Sequence, residues 1–266
     1  MSSKQPVVIK PRVRLKDFDP EYCGDMDKEH TKAKTQQLGE RIGQLQELLY
    51  ANASHSVVIM FQGMDAAGKD GAVKRVLEFV NPAGVETVNF KVPSDEERAH
   101  DFLWRHHKAI PRYGWIGVHN RSHYESVLVE RVMDLVPRKV WKRRYTQINE
   151  FEHLLAENNV IFLKFFLYVS KEEQARRLRD RLKDPSKNWK FEKGDLKTRK
   201  RWDDYMEAYE DALNECSPNH CRWHLLPGDN KWYRDYLAAT IVVEALESLK
   251  MDWPKPKEDL SKIRIV

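Results

Sequence analysis

The sequence predicts an α/β fold of three layers, in which helices cover both faces of a parallel sheet. The main observation is an alternation along the chain. Short apolar runs rich in β-branched residues are separated by longer segments whose apolar residues recur at helical spacing. In addition, 266 residues with 41% apolar content suffice for one large domain with a sizeable core, but hardly for two. We therefore expect a single domain over residues 1–266.

The N-terminal part is predicted to contain an arm and a helix. Residues 1–24 carry prolines at positions 6, 11 and 20, which predicts an irregular basic arm. Residues 25–51 are predicted to form an amphipathic helix that packs on the core. Its apolar stripe consists of Leu38, Ile42, Leu45 and Leu49.

Five segments are predicted as strands. The clearest is SVVIMFQ, residues 56–62, because its almost continuous apolar character is typical of a strand buried on both faces of a parallel sheet. The others are residues 86–91, 115–119, 160–169 and 222–226. Two of the predicted helices are 170–184, which opens with Ser170 and Glu173 at capping-box spacing, and 231–249, which closes the core.

Residues 184–215 depart from this alternation. They are highly charged, begin with a Pro-Ser turn and hold the predicted loop EKGD before a polar helix. On charge alone, a solvated helical hairpin is the simpler interpretation. The position of the segment between the fourth and fifth strands is typical of a mobile lid, so both interpretations stay open.

Composition restricts the class of protein. The chain has no apolar run long enough to cross a bilayer and no secretory signal, which predicts a cytoplasmic protein without a membrane partner. Its three cysteines are too few for a disulfide scaffold. Cys216 and Cys221 lie close to two histidines, but their spacing is unusual for zinc, so structural thiols are the preferred interpretation. The net charge of +5 indicates a polyanionic partner only if the positive charges cluster.

A phosphate-binding loop is predicted immediately after the first strand. Gly63, Gly68 and Lys69 have the spacing G-x-x-x-x-G-K, and the loop leads into a helix whose free N–H groups suit an anion. Lys69 is expected to reach the phosphates that are transferred. The predicted loop contacts also include Ala66, Ala67 and Gly71, and at the start of the following helix Lys74 and Arg75. For the last two, solvent exposure is an equally good alternative.

A second polar turn follows the predicted strand 115–119. The ligand crevice of an open α/β sheet lies at the carboxyl ends of its strands, so this turn should face the phosphate loop. Arg121 would offer its planar guanidinium to phosphate oxygens. The predicted substrate-binding residues of this turn also include Asn120, Ser122, Tyr124 and Glu125.

The two carboxylates of the phosphate loop predict a metal site. Asp70 stands where such loops usually have a Ser or Thr hydroxyl for magnesium, and Asn120 replaces a strand-end Asp that holds the metal in many nucleotide hydrolases. Two carboxylates in a loop that binds anions would repel phosphate unless a cation lay between them. Asp65 and Asp70 are therefore the candidate ligands for Mg²⁺.

Four segments resemble the polyphosphate kinase 2 family. They are GMDAAGKDG, NRSHYESVLVERV, the segment from KNWKFEKGD to RWDDYMEAYEDAL, and RWHLLPGDNKW, in the expected order over roughly residues 35–250. The resemblance implies a single-domain P-loop kinase fold, similar to thymidylate kinase, with a helical lid. It also implies Mg²⁺-dependent phosphoryl transfer between inorganic polyphosphate and a nucleoside mono- or diphosphate.

The resemblance also assigns roles to residues. Asp65, Lys69, Asp70 and Arg121 become the catalytic group, and lid residues would close over the substrates. These lid residues are Lys187, Trp189, Lys190 and Arg201. Asn120 and the short N-terminal arm are similar to the branches that have one domain, including the branch that phosphorylates AMP as well as ADP. We also expect a homo-oligomer, either a dimer or a tetramer.

Three other interpretations fit parts of the sequence. An ATP-dependent nucleotide kinase would share the loop and the lid, but Asp70 and the second motif argue against it. The run RKVWKRRY, residues 138–145, interleaves basic and aromatic residues as nucleic-acid-binding proteins do, yet such a run is more often a solvated face, and no nucleic-acid partner is expected. The adjacent histidines of WRHH, residues 104–107, point in different directions on a helix and favour packing over a metal site.

Overall fold

The computed structural model describes residues 13–265. Its strands are β1 (Ser56–Gln62), β2 (Val85–Asn89), β3 (Ile116–Asn120), β4 (Val160–Tyr168) and β5 (Trp223–Pro227). Its helices are α1 (Lys28–Asn52), α2 (Lys69–Val76), α3 (Asp95–Arg98), α4 (Trp104–Lys108), α5 (Val129–Val132), α6 (Arg138–Glu157), α7 (Lys171–Lys183), α8 (Lys193–Lys200), α9 (Trp202–Glu215) and α10 (Lys231–Ser248). Short 3-10 turns occur at Leu15–Asp17, Pro82–Gly84, His123–Ser126, Asn188–Lys190 and Leu260–Lys262.

The strands form one parallel sheet in the order β2-β3-β1-β4-β5. Successive side chains of a strand point to opposite faces, and β1 shows this clearly. Val57 and Ile59 belong to the core cluster that also holds the apolar stripes of α1 and α10. Val58 and Met60 pack with α6 residues in a second cluster. Helices therefore cover both faces, and the predicted α/β architecture is confirmed.

The edge strand β2 differs from its prediction. A strand at 86–91 was expected to be buried on both faces, but β2 begins one residue earlier, ends at Asn89 and is largely exposed. Its position explains the difference, because it pairs only with β3 at the edge of the sheet. The predicted strands 115–119 and 222–226 are each shifted by one residue towards the C-terminus.

The described part of the N-terminal arm is more ordered than predicted. Leu15 begins a 3-10 turn, and its side chain is buried in the main core. The backbone N–H of Leu15 donates to Glu210 Oε2 at 2.7 Å, which ties the arm to α9. Residues 1–12 of the predicted arm lie outside the described residues. The predicted helix 25–51 begins at Lys28, because Asp27 caps it by accepting from the His30 N–H at 2.7 Å.

Residues 184–215 contain two helices, α8 and α9, that sequence periodicity did not separate. The predicted loop EKGD is wrong, since Lys193, Gly194 and Asp195 form the first turn of α8. A helix was correctly predicted here, but its polar character is wrong, because one face of α9 is buried in the main core. The residues of that face are Trp202, Tyr205, Ala208, Tyr209, Ala212 and Leu213. Only the part before α9, residues 184–200, is free of this core packing.

Two further findings concern the chain as a whole. Over residues 13–265, none of the helices combines the length and apolar character required to cross a membrane. Within the same residues, no three or more His, Cys, Asp or Glu side chains are grouped so that they could hold a metal ion by themselves. Cys216 and Cys221, near the histidines considered for zinc, are buried free thiols.

Candidate active site

A polar cleft of about 400 Å³ lies at the carboxyl ends of the central strands. The turns after β1 and β3 meet there, because Phe61 and Asn120 are paired in neighbouring strands. The residues that line the cleft are Asp65, Ala66, Gly68, Lys69, Asp70, Gly71, Asn120, Arg121, Arg177, Asp180, Arg181, Lys187, Lys190, Glu192, Asp195, Lys231 and Arg234. Eight of them are basic and five are acidic, so the positive charges do cluster and the cleft favours a polyanion.

Glycines shape the loop between β1 and α2. Gly68 has a φ of +99°, and a Cβ atom there would overlap Nη1 of Arg234. Gly63 has a φ of +153°, and a Cβ atom there would lie 2.9 Å from the carbonyl oxygen of Leu167. Both positions therefore favour glycine for conformation, and Gly63 also for space, because the atom in its way belongs to the backbone. Ala66, with a φ of +63°, also adopts the left-handed conformation, and it lines the cleft.

Lys69 is the first residue of α2 and is turned back over its own loop. Its ammonium group donates to the carbonyl oxygens of Gly63 at 2.8 Å and Met64 at 3.2 Å. The side chain is 9% exposed. Burial, assisted by the positive charge of Arg121, lowers the pKa of Lys69 to about 8. The ammonium thus lies inside the loop, held by two of the loop's own carbonyl oxygens.

The two loop carboxylates differ in environment. Asp65 Oδ1 accepts from Arg121 Nη2 at 2.7 Å, and its side chain is only 16% exposed. Burial opposes ionisation, but Lys69, Arg121 and a hydrogen bond from Thr198 outweigh it and lower the pKa of Asp65. Asp70 is 65% exposed, accepts from the Asn120 amide at 2.8 Å and lies 3.6 Å from Lys190 Nζ. Both carboxylates line one cleft, and oxygen ligands of this kind suit Mg²⁺, which usually completes its shell with phosphate oxygens and water.

Arg121 connects the two polar turns. Its φ of +66° is left-handed, so the turn after β3 holds this residue in a conformation that non-glycine residues rarely adopt. Its guanidinium pairs with Asp65 and with Glu125, at 2.7 and 3.1 Å. The negative charge of Glu125 raises the pKa of Arg121. Burial opposes this increase, and the charge of Asp65 adds to it. The predicted fixed guanidinium is therefore present, although in this structure it is engaged by two carboxylates.

Ser122 and Tyr124, predicted to bind substrate, lie in the buried interior beneath the turn and do not line the cleft. Both are fully buried. The Ser122 hydroxyl accepts from Gln62 Nε2 at 3.0 Å. The Tyr124 hydroxyl donates to Glu152 Oε1 at 2.9 Å, and Lys164 Nζ donates to Glu152 Oε2 at 2.6 Å. This buried network supports the turn that carries Arg121, which is the physical reason for polar residues at these positions.

Of the four predicted lid residues, two line the cleft and two do not. Lys187 and Lys190 line the cleft, whereas Trp189 is 76% exposed and its indole N–H donates to the Ser186 carbonyl oxygen. Arg201 pairs with Asp204 at 2.8 Å in a different surface depression. Trp189 and Arg201 therefore lie outside the cleft, and their contact with the substrates stays a prediction.

The remaining residues predicted to bind substrate, in the loop and in α2, lie in different environments. Ala67 is fully buried, so its side chain does not face the cleft, although its carbonyl oxygen serves as an acceptor. Gly71 lines the cleft. Lys74 is exposed on α2, and Arg75 pairs with Glu78 and lines a second cleft of about 860 Å³. Lys231 lines both clefts.

Several cleft residues escaped sequence reasoning. Arg177 is 6% exposed, and its Nη1 donates to the Ala67 carbonyl oxygen at 2.7 Å, which holds the loop from behind. Arg234 is 1% exposed and pairs with Asp235 beside Gly68. A signal existed for Arg234, because it precedes a stripe of buried residues at intervals of four. The stripe consists of Ala238, Val242 and Leu246. A charged residue on the buried face of a helix indicates a specific partner. The other missed cleft residues are Arg181 and Lys231.

The basic run at 138–145 forms the start of α6, and its aromatic side chains are packed against the protein. Tyr145 is 7% exposed, and the Arg131 guanidinium lies 4.4 Å from the centre of the Trp141 ring. Arg144 pairs with Glu130 at 2.6 Å. Rings in such contacts are poorly placed to stack on bases. In the WRHH segment, His106 is buried and His107 is exposed, as expected for adjacent residues of a helix.

Comparisons with known proteins identify the family. The model of the family described as "Polyphosphate kinase 2 (PPK2)" matches residues 25–254. The AMP/ADP-polyphosphate phosphotransferase of Meiothermus ruber is 46% identical over 256 residues, which are 96% of each chain. The ADP-polyphosphate phosphotransferase of Rhodopseudomonas palustris is 43% identical, over 89% of this chain and 85% of its own. The crystal structure of polyphosphate kinase 2 from Arthrobacter aurescens superposes with a TM-score of 0.92 and 40% identity, covering 95% of this chain and 92% of the other. This agreement of sequence and fold, over a chain that also carries the phosphate loop and the basic cleft, shows that the protein belongs to the polyphosphate kinase 2 family.

Proposed function

We propose that the protein is a phosphotransferase that moves a phosphoryl group reversibly between inorganic polyphosphate and ADP or AMP. The observation that carries the proposal is a cleft with an excess of basic residues, built around a phosphate loop that contains two carboxylates. The names of the relatives support it, since the Meiothermus ruber protein is named for both AMP and ADP. The second cleft, which shares Lys231 with the first, offers further basic residues to the remainder of a polyphosphate chain.

The residues of the cleft would act by alignment and by charge. Phosphoryl transfer proceeds through a loose transition state in which negative charge spreads over the transferred oxygens. Lys69 and Arg121 would stabilise that charge, and the N–H groups at the start of α2 would hold the phosphate in line with the acceptor. The acceptor phosphate is already anionic near neutral pH, so the reaction needs orientation of the nucleophile more than a strong base.

We propose Mg²⁺ as the cofactor, held by Asp65 and Asp70. The donor set fits, because two carboxylates face a cleft that would also contain phosphate oxygens. When bound, Mg²⁺ would neutralise charge on the phosphates and on the two carboxylates. Asp65 must then share its oxygens with Arg121, and Asp70 with Asn120, both of which are within hydrogen-bond distance.

We also propose how the chain is organised around this site. Residues 1–266 would form one domain, and the lid would comprise residues 184–200, since α9 packs in the core. Lys187 and Lys190 would then carry the lid's positive charge to the substrates. A homo-oligomer, dimer or tetramer, and a cytoplasmic location are also part of the proposal. Its partners would be inorganic polyphosphate and a nucleoside mono- or diphosphate, with no nucleic acid.

We expect Asp65→Asn and Asp70→Asn each to lower phosphoryl transfer from polyphosphate to ADP and AMP by about 10-fold to 100-fold. Each amide removes one negative charge from the cation site and keeps the shape of the side chain. Purified variants would be assayed with polyphosphate and with AMP, ADP, GMP and GDP in turn. Asp203→Asn, at an exposed position of α9, is the matched control. Variants as active as the parent protein would contradict the proposed roles of both carboxylates.

The same assay distinguishes an ATP-dependent nucleotide kinase. Such an enzyme would phosphorylate its acceptor with ATP as the sole donor. Our proposal predicts that ADP or AMP is phosphorylated with polyphosphate as the sole donor. Transfer from ATP to an independent nucleoside in the absence of polyphosphate would favour the alternative.

The binding of polyphosphate should weaken as the pH rises. Below about pH 8, Lys69 carries its proton and attracts phosphate, and above that pH it is mostly neutral. We therefore expect the affinity for tripolyphosphate, measured by calorimetry without nucleotide, to fall as the pH passes through about 8. Lys69→Met should lack this step but keep any contribution from ionisation of the ligand. Identical pH profiles for the two proteins would show that Lys69 is not the group that causes the pH dependence.

A further inference from the structure

The side chain of Thr198 extends from the proposed lid to Asp65 in the loop between β1 and α2. Thr198 lies on α8, and its hydroxyl donates to Asp65 Oδ2 at 2.9 Å. The two residues are 133 positions apart in the sequence, so only the folding of residues 184–200 over the loop brings them together. No sequence motif marked Thr198.

The hydroxyl of Thr198 has a choice of acceptors. The carbonyl oxygens of Gly194 and Asp195, in the same helix, lie at 3.2 and 3.0 Å. A threonine hydroxyl carries one proton, so donation to Asp65 competes with the bond that the hydroxyl could make within its own helix. The carboxylate is the stronger acceptor, because it is charged.

Asp65 is held from three directions. Arg121 donates to Oδ1 and Thr198 to Oδ2, and the buried amide of Gln174 donates to the backbone carbonyl oxygen of Asp65 at 3.0 Å. Arg199 of α8 donates to Gln174 Oε1 at 2.8 Å. Helix α8 thus reaches Asp65 both directly and through Gln174.

We propose that Thr198 is a positioning residue that orients the Asp65 carboxylate for a divalent cation and couples the cation site to α8. This inference rests on the proposed function, in which Asp65 holds Mg²⁺. A carboxylate oxygen has two acceptor sites, so Oδ2 can keep the bond from Thr198 and still coordinate a cation. Hydrogen-bonding partners of metal-ligating carboxylates fix the direction of the ligand and increase the affinity for the metal.

The variants Thr198→Val and Thr198→Ser test the proposal. Valine keeps the shape of the side chain and removes the donor, whereas serine keeps the donor. Binding of Mn²⁺ would be measured by electron paramagnetic resonance in the presence of tripolyphosphate and without nucleotide, so that no transfer occurs. We expect Thr198→Val to bind Mn²⁺ about tenfold more weakly and Thr198→Ser to restore the affinity. Hydrogen exchange of residues 193–200 should also become faster in Thr198→Val.

The controls separate this inference from the proposed function. Thr146→Val, at an exposed position of α6, should change neither readout, and thermal melting would show that each variant is folded. Parent-like Mn²⁺ binding by Thr198→Val, valine-like binding by Thr198→Ser, or no Mn²⁺ binding by the parent protein would each overturn the proposal. Failure of the proposed function would instead appear as an absence of phosphoryl transfer in the parent protein, which neither binding readout requires.

Discussion

Lys69→Met is expected to lower kcat for transfer from polyphosphate to ADP by about 10²-fold to 10³-fold, which is typical for the loss of one preorganised group that stabilises transition-state charge. The ammonium is 9% exposed and lies within the loop, where charge interactions are stronger than in water. Methionine nearly preserves the length of the side chain and removes its charge. Steady-state rates at saturating polyphosphate and ADP would measure the effect.

Two comparisons sharpen this test. Lys142→Met makes the same chemical change at an exposed position of α6 and should leave kcat unchanged. Lys69→Arg keeps the charge, but its larger planar group does not match the two carbonyl acceptors that hold the ammonium, so we expect only partial recovery. A Lys69→Met enzyme with parent-like kcat would show that Lys69 serves the structure of the loop and not the transfer.

The second large effect concerns stability. Lys164→Met is expected to lower the free energy of unfolding by about 3–5 kcal/mol, because it removes one partner of a buried ion pair and leaves Glu152 uncompensated. Lys164 and Glu152 are both 0% exposed, and their charged atoms are 2.6 Å apart. The loss would be measured by urea denaturation near neutral pH.

An exposed pair on α1 supplies the matched control. Lys32 and Glu29 are also close, at 2.8 Å, but their side chains are 50% and 75% exposed. Lys32→Met should therefore cost less than about 1 kcal/mol. The double variant Lys164→Met with Glu152→Gln should cost less than the sum of its single changes, since it leaves no unpaired charge. Equal effects of Lys164→Met and Lys32→Met would contradict the importance of burial.

The two effects are connected by the structure. Tyr124, which shares the network of Lys164 and Glu152, lies three residues after Arg121. The 3-10 turn that begins at His123 is therefore anchored in the core by charged hydrogen bonds. A substitution in this network should affect both the stability and the position of Arg121, while Lys69→Met should mainly affect the reaction.

Local sequence was sufficient for the parts of the protein that local physics controls. Buried parallel strands are short apolar runs, so β1 and β4 were predicted at or within one residue of their observed bounds. The phosphate loop was predictable because its glycines, its lysine and its place between a strand and a helix are all encoded within a few residues. The exposed β2 was predicted less well, since an edge position is a property of the sheet.

Packing between distant segments decided the rest. Tyr124 looked like part of a polar turn, but Glu152 and Lys164 draw its hydroxyl into the core. Arg177 and Arg234 support the loop from α7 and α10, and Thr198 contacts Asp65 across 133 positions of sequence. Such contacts depend on how helices lie over the sheet, and a side chain that bonds a distant partner leaves little trace in the residues beside it. Short-range patterns therefore located the phosphate loop, whereas the tertiary structure determined which side chains surround it.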